Sequence, residues 1–207
     1  DAALKLLGAH FPRAKVTLLG DPMQRTCPAM DACDPGHWGA CFGEPGAGDH
    51  ALTKCYRSTQ PIARLCNAIL PGGERLIPFG REGEMPLVAA YSDDLLKSTL
   101  KSFRAAGHRS VAVITRTPGE AAEIAEKLEN VYQLDGEDDR NYEPGDTVVG
   151  CYHLMKGMEF DAVIACWPEC ELNDEERRRL YAACSRALHA AALLGGEKLI
   201  AELGIVL

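Results

Sequence analysis

The chain has 207 residues, 46% hydrophobic and 25% charged, enough apolar material to bury a core in one large domain or one domain plus part of another. Its net charge of −8 excludes a general electrostatic attraction to phosphate backbones or membrane surfaces, so any nucleic-acid contact must come from a local patch. No apolar run is long enough to span a bilayer and no signal-type segment opens the chain; a cytoplasmic protein without a membrane partner is expected.

Nine cysteines occur without a single C-x-x-C pair. Cys55, Cys66, Cys151, Cys166 and Cys184 lie in apolar patterns and read as small core residues of a reducing compartment. Cys27, Cys33, His37 and Cys41 fit no standard zinc spacing and read as loop residues, so no metal ligand is assigned.

In chain order, residues 1–11 read as the end of an amphipathic helix (Leu4, Leu7) that Pro12 breaks. Val16–Leu19 is predicted as a short buried strand running into Gly20–Asp21–Pro22–Met23–Gln24. Asp21 and Gln24 would then stand at a strand's carboxyl end, within reach of a phosphate or its attacking water; the alternative is a β-turn with Asp as turn former. From Arg25 to about His50 the chain is Gly- and Pro-rich without periodicity, a surface loop or an inter-domain crossing.

Leu52 begins a new block. Tyr56–Arg57–Ser58 precedes a predicted helix with Pro61 in its first turn and Ile62, Leu65, Cys66 and Ile69 at helical spacing. Arg57 just before a helix start can bind phosphate oxygens bidentately, or form a surface ion pair. Pro71–Pro86 reads as irregular. Then come a strand at Leu87–Tyr91, a helix at Asp94–Ala106 with Leu96, Leu100 and Phe103 inward, and a strand at Val111–Thr115. Thr117–Pro118–Gly119–Glu120 is a capping box with Pro at the first helical position, opening a helix buried through Ala121, Ile124, Ala125 and Leu128. A weak strand at Val131–Leu134 leads to an acidic connection, Asp135–Asp146.

The stretch Thr147–Trp167 places two buried parallel strands around His153–Leu154–Met155–Lys156–Gly157–Met158–Glu159. Gly157 allows a tight turn or close approach to a ligand, with Lys156 and Glu159 as opposite charges beside it, and the turn is expected at a sheet edge. Asn173–Asp174–Glu175–Glu176 reads as a second capping box. Its helix turns Leu180, Ala183, Cys184 and Ala187 inward and carries Arg179 and Arg186 on another face. A strand at His189–Leu194 and a short helix follow. Alternating strands and helices imply an α/β fold with a mostly parallel sheet and helices on both faces.

Four of these pieces, in this order, resemble the later motifs of UvrD/Rep-type helicases. They are Gly20–Asp21–Pro22–Met23–Gln24, Tyr56–Arg57–Ser58, Cys151 to Phe160, and Glu175–Glu176–Arg177–Arg178 through Tyr181 to Ser185–Arg186–Ala187. The resemblance implies a RecA-like, P-loop NTPase-type fold that couples ATP hydrolysis to movement along nucleic acid. It implies that Gln24 and Arg57 face the γ-phosphate, Asp21 and Gly157 belong to the nucleotide site, Tyr56 stacks on the base, and Glu159 holds the ribose. It makes Arg186 an arginine finger and assigns His153 and Lys156 to a single-stranded DNA track. Phosphoryl transfer needs positive charge on developing oxyanions, which suits these residue types.

A G-x-x-x-x-G-K-[ST] loop and an Asp-Glu pair for Mg2+ are absent ahead of Gly20. The chain is therefore expected to be the C-terminal part of a longer protein and to work with an N-terminal RecA-like domain of that protein. Residues 1–50 would finish the first domain and 51–207 form the second. Tyr56–Arg57–Ser58–Thr59 followed by Arg81–Glu82–Gly83–Glu84–Met85–Pro86 looks closer to the helicase IV/HelD branch. Cys27–Pro28–Ala29 stands where the family has base-stacking aromatics, which favours the alternative of an ATPase that remodels RNA polymerase or another protein assembly. A non-catalytic RecA-like binding module is the third reading.

Overall fold

The computed structural model describes residues 2–24, 38–42, 50–70, 76–136 and 145–204. The predicted loop residues Cys27, Cys33 and His37 and most of the acidic connection lie outside them. The chain divides into two units, Asp1–Leu52 and Thr53–Leu207.

In the first unit, helix α1 (Ala2–His10) packs on the short α2 (Trp38–Cys41) where Gly8 lets the backbones close. A Cβ on Gly8 would lie 3.0 Å from the Cys41 carbonyl oxygen. The strand expected at Val16–Leu19 does not form, and Leu19 is 84% exposed. A strand needs a neighbour for its amides and carbonyls, and none of the described residues of this unit pairs with it. The Gly20–Gln24 segment is instead a local turn. Asp21 accepts from the Met23 amide and from Gln24 Nε2, both at 2.9 Å, closing a 3-10 turn at Pro22–Gln24.

The second unit opens with β1 (Lys54–Cys55), α3 (Gln60–Ile69) and β2 (Ile77–Pro78), where β1 and β2 pair in parallel. Then follow β3 (Leu87–Ala90), α4 (Asp93–Ala105), β4 (Val111–Thr115), α5 (Pro118–Ala125) and β5 (Val131–Leu134). Strands β6 (Thr147–Cys151) and β7 (Phe160–Trp167), α6 (Asp174–Cys184), β8 (Ala187–Gly195) and α7 (Glu197–Leu203) complete it. The main sheet is parallel throughout, in the order β3-β8-β7-β4-β6-β5.

Alternation along the strands builds two cores. Val111, Val113, Val149, Ile164 and Ala192 face Leu96 and Phe103 of α4 and Ala121 and Ile124 of α5. The residues between them, Ala112, Ile114, Val148, Val163 and Leu193, are equally buried on the other face, where α3 and α6 pack. Ile62, Leu65, Cys66 and Ile69 of α3 are all buried, as their spacing predicts. Thr117 and Glu120 form both halves of the expected capping box.

Three further expectations need correction. First, β6 and β7 are not neighbours and the turn between them is not at a sheet edge: β4 lies between them, with Thr115 level with both Cys151 and Cys166. Residues 152–159 therefore carry the chain back along β4 in eight residues of tight turns, where parallel crossovers usually take a dozen or more. Buried Met155 and Met158 pin this crossover to the sheet, and Gly150 makes room for it. A Cβ on Gly150 would lie 3.0 Å from Met155 Cε and 3.2 Å from the Leu134 carbonyl oxygen.

Second, Asn173 caps α6 by accepting from the Glu175 and Glu176 amides, but Glu176 does not complete a capping box. It is buried and turned to Trp167 Nε1 (3.3 Å) and to Arg179 (2.5 Å). Third, α6 ends at Cys184, so Ala187 and Arg186 do not lie on its faces; Ala187 starts β8. Among the described residues no helix is long and apolar enough to cross a membrane.

Candidate functional site at the amino ends of β7 and β8

The sheet register gathers several motif residues at one end. Glu159 immediately precedes β7, and Arg186 immediately precedes β8. The Phe160 amide donates to the Arg186 carbonyl at 3.0 Å, which ties the two strand starts together. Arg57 reaches the same place from the other direction, at the turn between β1 and α3. Its Nη2 lies 2.9 Å from Glu159 Oε1, with the two side chains 47% and 43% exposed.

The Tyr56–Arg57–Ser58 turn is tightly held. Ser58 is buried, and its hydroxyl lies 3.3 Å from Cys55 Sγ. Burial pushes the Cys55 thiol up, but the Ser58 hydroxyl, the Ser58 and Arg57 amides and the Arg57 charge outweigh it and hold the thiol below its usual range. Tyr56 is 58% exposed, with its ring 4.8 Å from that of Phe79, itself about half exposed. Lys54 Nζ stands 5.7 Å over the Phe79 ring. The result is an aromatic face with the Lys54 ammonium over it, and Tyr56 of that face stands next to Arg57 in the chain.

Arg186 is less available than a finger residue suggests. It is 4% exposed, and its Nε donates to the Ala182 carbonyl at 3.1 Å, folding the guanidinium back over the end of α6. Arg179 is engaged with both Glu175 and Glu176 and lies over the Tyr152 ring. Arg177 donates to the Ile69 carbonyl at 3.2 Å, tying α6 to α3. The dense basic run of α6 is thus largely spent inside the domain.

His153 sits at the opposite end of the sheet from Glu159, just past the carboxyl end of β6. It is exposed, with Nε2 3.6 Å from Cys151 Sγ. Lys156 and Gly157 are exposed on the crossover between the two ends, and Gly157 has φ +80, a left-handed turn conformation. The structure therefore brings Arg57, Glu159 and the Arg186 backbone together and keeps His153 apart from them. Asp21 and Gln24 belong to the first unit and bond to each other there.

Phe79, Arg81 and His189 are not site residues in the sequence reading, where Arg81 only opens the Arg81–Pro86 stretch and His189 only begins a strand. Phe79 and Arg81 lie more than twenty residues from Tyr56 and Arg57 and meet them through the β1–β2 pairing, for which a two-residue strand leaves no periodic signal; His189, on β8, joins through Arg81. Arg81 donates to the Arg57 carbonyl and to His189 Nδ1.

Asp161, one residue into β7, ends the site on the β4 side. Burial raises its pKa, but hydrogen bonds from the Ser110 and Arg109 amides oppose this and the carboxyl is held below its ordinary value.

A six-stranded parallel sheet with helices on both faces makes this an α/β domain of RecA-like build. Among solved structures it is similar to the C-terminal domain of a possible DNA helicase from Lactobacillus plantarum WCFS1, with 29% identity and a TM-score of 0.56. That match covers 68% of this chain and 87% of the other. A more distant likeness is to the UvsW helicase from bacteriophage T4, at 11% identity and a TM-score of 0.38 over 57% of this chain and 51% of that one. No family profile matches the chain, and no curated protein does. The first likeness, with the motif order, supports a helicase C-terminal domain.

Proposed function

We propose that Thr53–Leu207 is the second RecA-like domain of an ATP-driven, UvrD-like DNA helicase or translocase, and that it supplies half of an ATP site. The observation that carries this reading is the 2.9 Å contact between Arg57 and Glu159, two residues about a hundred positions apart that belong to separate motifs. In the proposal Tyr56 stacks on the base, Glu159 accepts from the ribose, and Arg57 and Arg186 offset charge on the transferring phosphoryl. Asp21 and Gln24 enter through their motif alone, and Gly157 through its turn.

The residues suit a nucleoside triphosphate: an exposed aromatic face, an acceptor for hydroxyls and a guanidinium on one rim. An exposed ion pair contributes about 0–1 kcal/mol, so a nucleotide can part Arg57 from Glu159 at little cost. Arg186 would have to leave its contact with α6, which suits a group that acts only in the closed, reacting complex. Among the described residues no cluster of three His, Cys, Asp or Glu could hold a metal ion, and no residue of this chain is proposed as a Mg2+ ligand. His153 and Lys156 would face single-stranded DNA.

ATPase assay of the full-length gene product tests the reading. Turnover that is lost in Arg57→Ala and Arg186→Ala supports it; full turnover in both variants overturns it. A second reading is a cytoplasmic HelD-like ATPase that remodels RNA polymerase. The net charge of −8 and Cys27–Pro28–Ala29 at the stacking positions favour it. Single-stranded DNA that leaves the ATPase rate unchanged would select it over the helicase.

A further inference from the structure

We propose that Arg81 is a positioning residue for Arg57, held in place by His189; the inference rests on the reading that Arg57 acts on the transferring phosphoryl. The segment after β2 runs alongside the Tyr56–Arg57–Ser58 turn and grips it at successive points. The Phe79 amide donates to the Cys55 carbonyl at 3.1 Å, and the Gln60 amide donates to the Arg81 carbonyl at 2.7 Å. Gly83 lies flat on Thr59, so close that a Cβ would stand 2.5 Å from Thr59 Cγ2.

Between these points the Arg81 guanidinium spans two elements. One nitrogen donates to the Arg57 carbonyl, and the other lies 2.9 Å from His189 Nδ1 on β8. Arginine can only donate, so Nδ1 accepts and the ring proton rests on Nε2. His189 is itself set by a parallel stack on His108, with ring centroids 6.3 Å apart. The planar fork of Arg81 therefore ties the backbone from which the Arg57 side chain springs to β8, the strand that follows Arg186. Arg57 is half exposed, and among the described residues its side chain pairs with the exchangeable Glu159. Its aim must come from its backbone, and the Arg81 side chain holds the Arg57 carbonyl of that backbone.

Lysine cannot replace this fork, because one ammonium cannot span two acceptors in that geometry. Asparagine at 189 presents an amide oxygen near the place of Nδ1, whereas leucine presents none.

The test is steady-state ATPase kinetics on the full-length protein with Arg81→Ala, Arg81→Lys, His189→Leu, His189→Asn, Arg57→Ala and the Arg57→Ala/Arg81→Ala double variant, with thermal melts alongside. Misplacing a reacting group by about 1 Å costs up to about a hundredfold, so kcat should fall about tenfold to a hundredfold in Arg81→Ala and Arg81→Lys, with KM little moved. His189→Leu should lower kcat in the same way, and His189→Asn should restore most of that loss. The double variant should be no slower than Arg57→Ala alone, because Arg81 acts through Arg57. Additive losses, or a lowered melting temperature with unchanged kcat, would overturn the positioning role while leaving the ATPase reading intact. Should Arg81→Ala fail to fold, the exposed His189 pair carries the same decision. If Arg57→Ala itself turns over normally, the ATPase reading and this inference fall together.

Discussion

Arg57 and Glu159 form an ion pair at 2.9 Å at one end of the six-stranded sheet, joining the turn before α3 to the first residue ahead of β7. A bound nucleotide would take the place of either partner in the proposed site. In the proposed site Glu159→Ala should raise KM for ATP by about tenfold or more, the worth of a charge-assisted hydrogen bond, while kcat changes less. Titration of a fluorescent nucleotide into the full-length variant checks this. Unchanged affinity would leave the pair as a surface ion bridge and nothing more.

Arg186 presents a different case, since it is buried and bonded to the end of α6. Arg186→Ala and Arg186→Lys should both lower kcat by about a thousandfold or more, the range for arginine fingers, with nucleotide affinity falling much less. Arg178→Ala serves as the comparison and should change little. Near-normal kcat in a folded Arg186→Ala protein would return Arg186 to a structural role.

Gly150 is a packing position with a readable cost. In Gly150→Ala the new methyl meets Met155 Cε at 3.0 Å and the Leu134 carbonyl at 3.2 Å, and the backbone oxygen cannot swing aside. We expect a loss of about 1–3 kcal/mol, the usual price of overpacking, seen as a lower denaturation midpoint. The crossover 152–159 should loosen with it. A midpoint equal to that of the parent chain would mean the strand shifts freely.

Asp161 links stability to acid. Its carboxyl is held below the ordinary range despite burial, because the Ser110 and Arg109 amides favour the charged form. A depressed folded-state pKa contributes stability that is present above the unfolded value near 3.9 and is lost as pH falls through the folded value. Asp161→Asn should therefore lower stability at neutral pH and flatten the acid limb of a stability-versus-pH curve. Parallel curves for the two proteins would refute the assignment.

Binding of single-stranded DNA by the chain alone should be weak and should fall steeply with salt, given the net charge of −8. Fluorescence anisotropy over a salt series measures it. Tight binding that survives high salt would count against the protein-remodelling reading.

What local chemistry decides was legible from the residues in order. The helical spacing of Ile62, Leu65, Cys66 and Ile69 and the Thr117–Glu120 capping box are complete within a few turns of chain, and the structure keeps both. The bounds of β4 at Val111–Thr115 and β5 at Val131–Leu134 emerge from apolar runs in the same way. The parallel α/β class follows from the alternation of such runs with helices.

Sheet order, and with it the site, belongs to the tertiary structure. Strands with equally apolar sequences compete for the central places, and burial on both faces put β4 between β6 and β7, which no periodicity encodes. Glu176 fits a capping box by sequence, but burial drew it to Trp167 and Arg179, where its charge finds donors. Leu19 reads as core, yet stands exposed where no described strand of its unit pairs beside it. The contacts of Arg57 with Glu159 and of Arg81 with Arg57 and His189 span long stretches of sequence. Motif order could name Arg57 and Glu159, but only the register of β7 and β8 and the short β1–β2 pair bring them together, because such contacts form only after distant strands have paired.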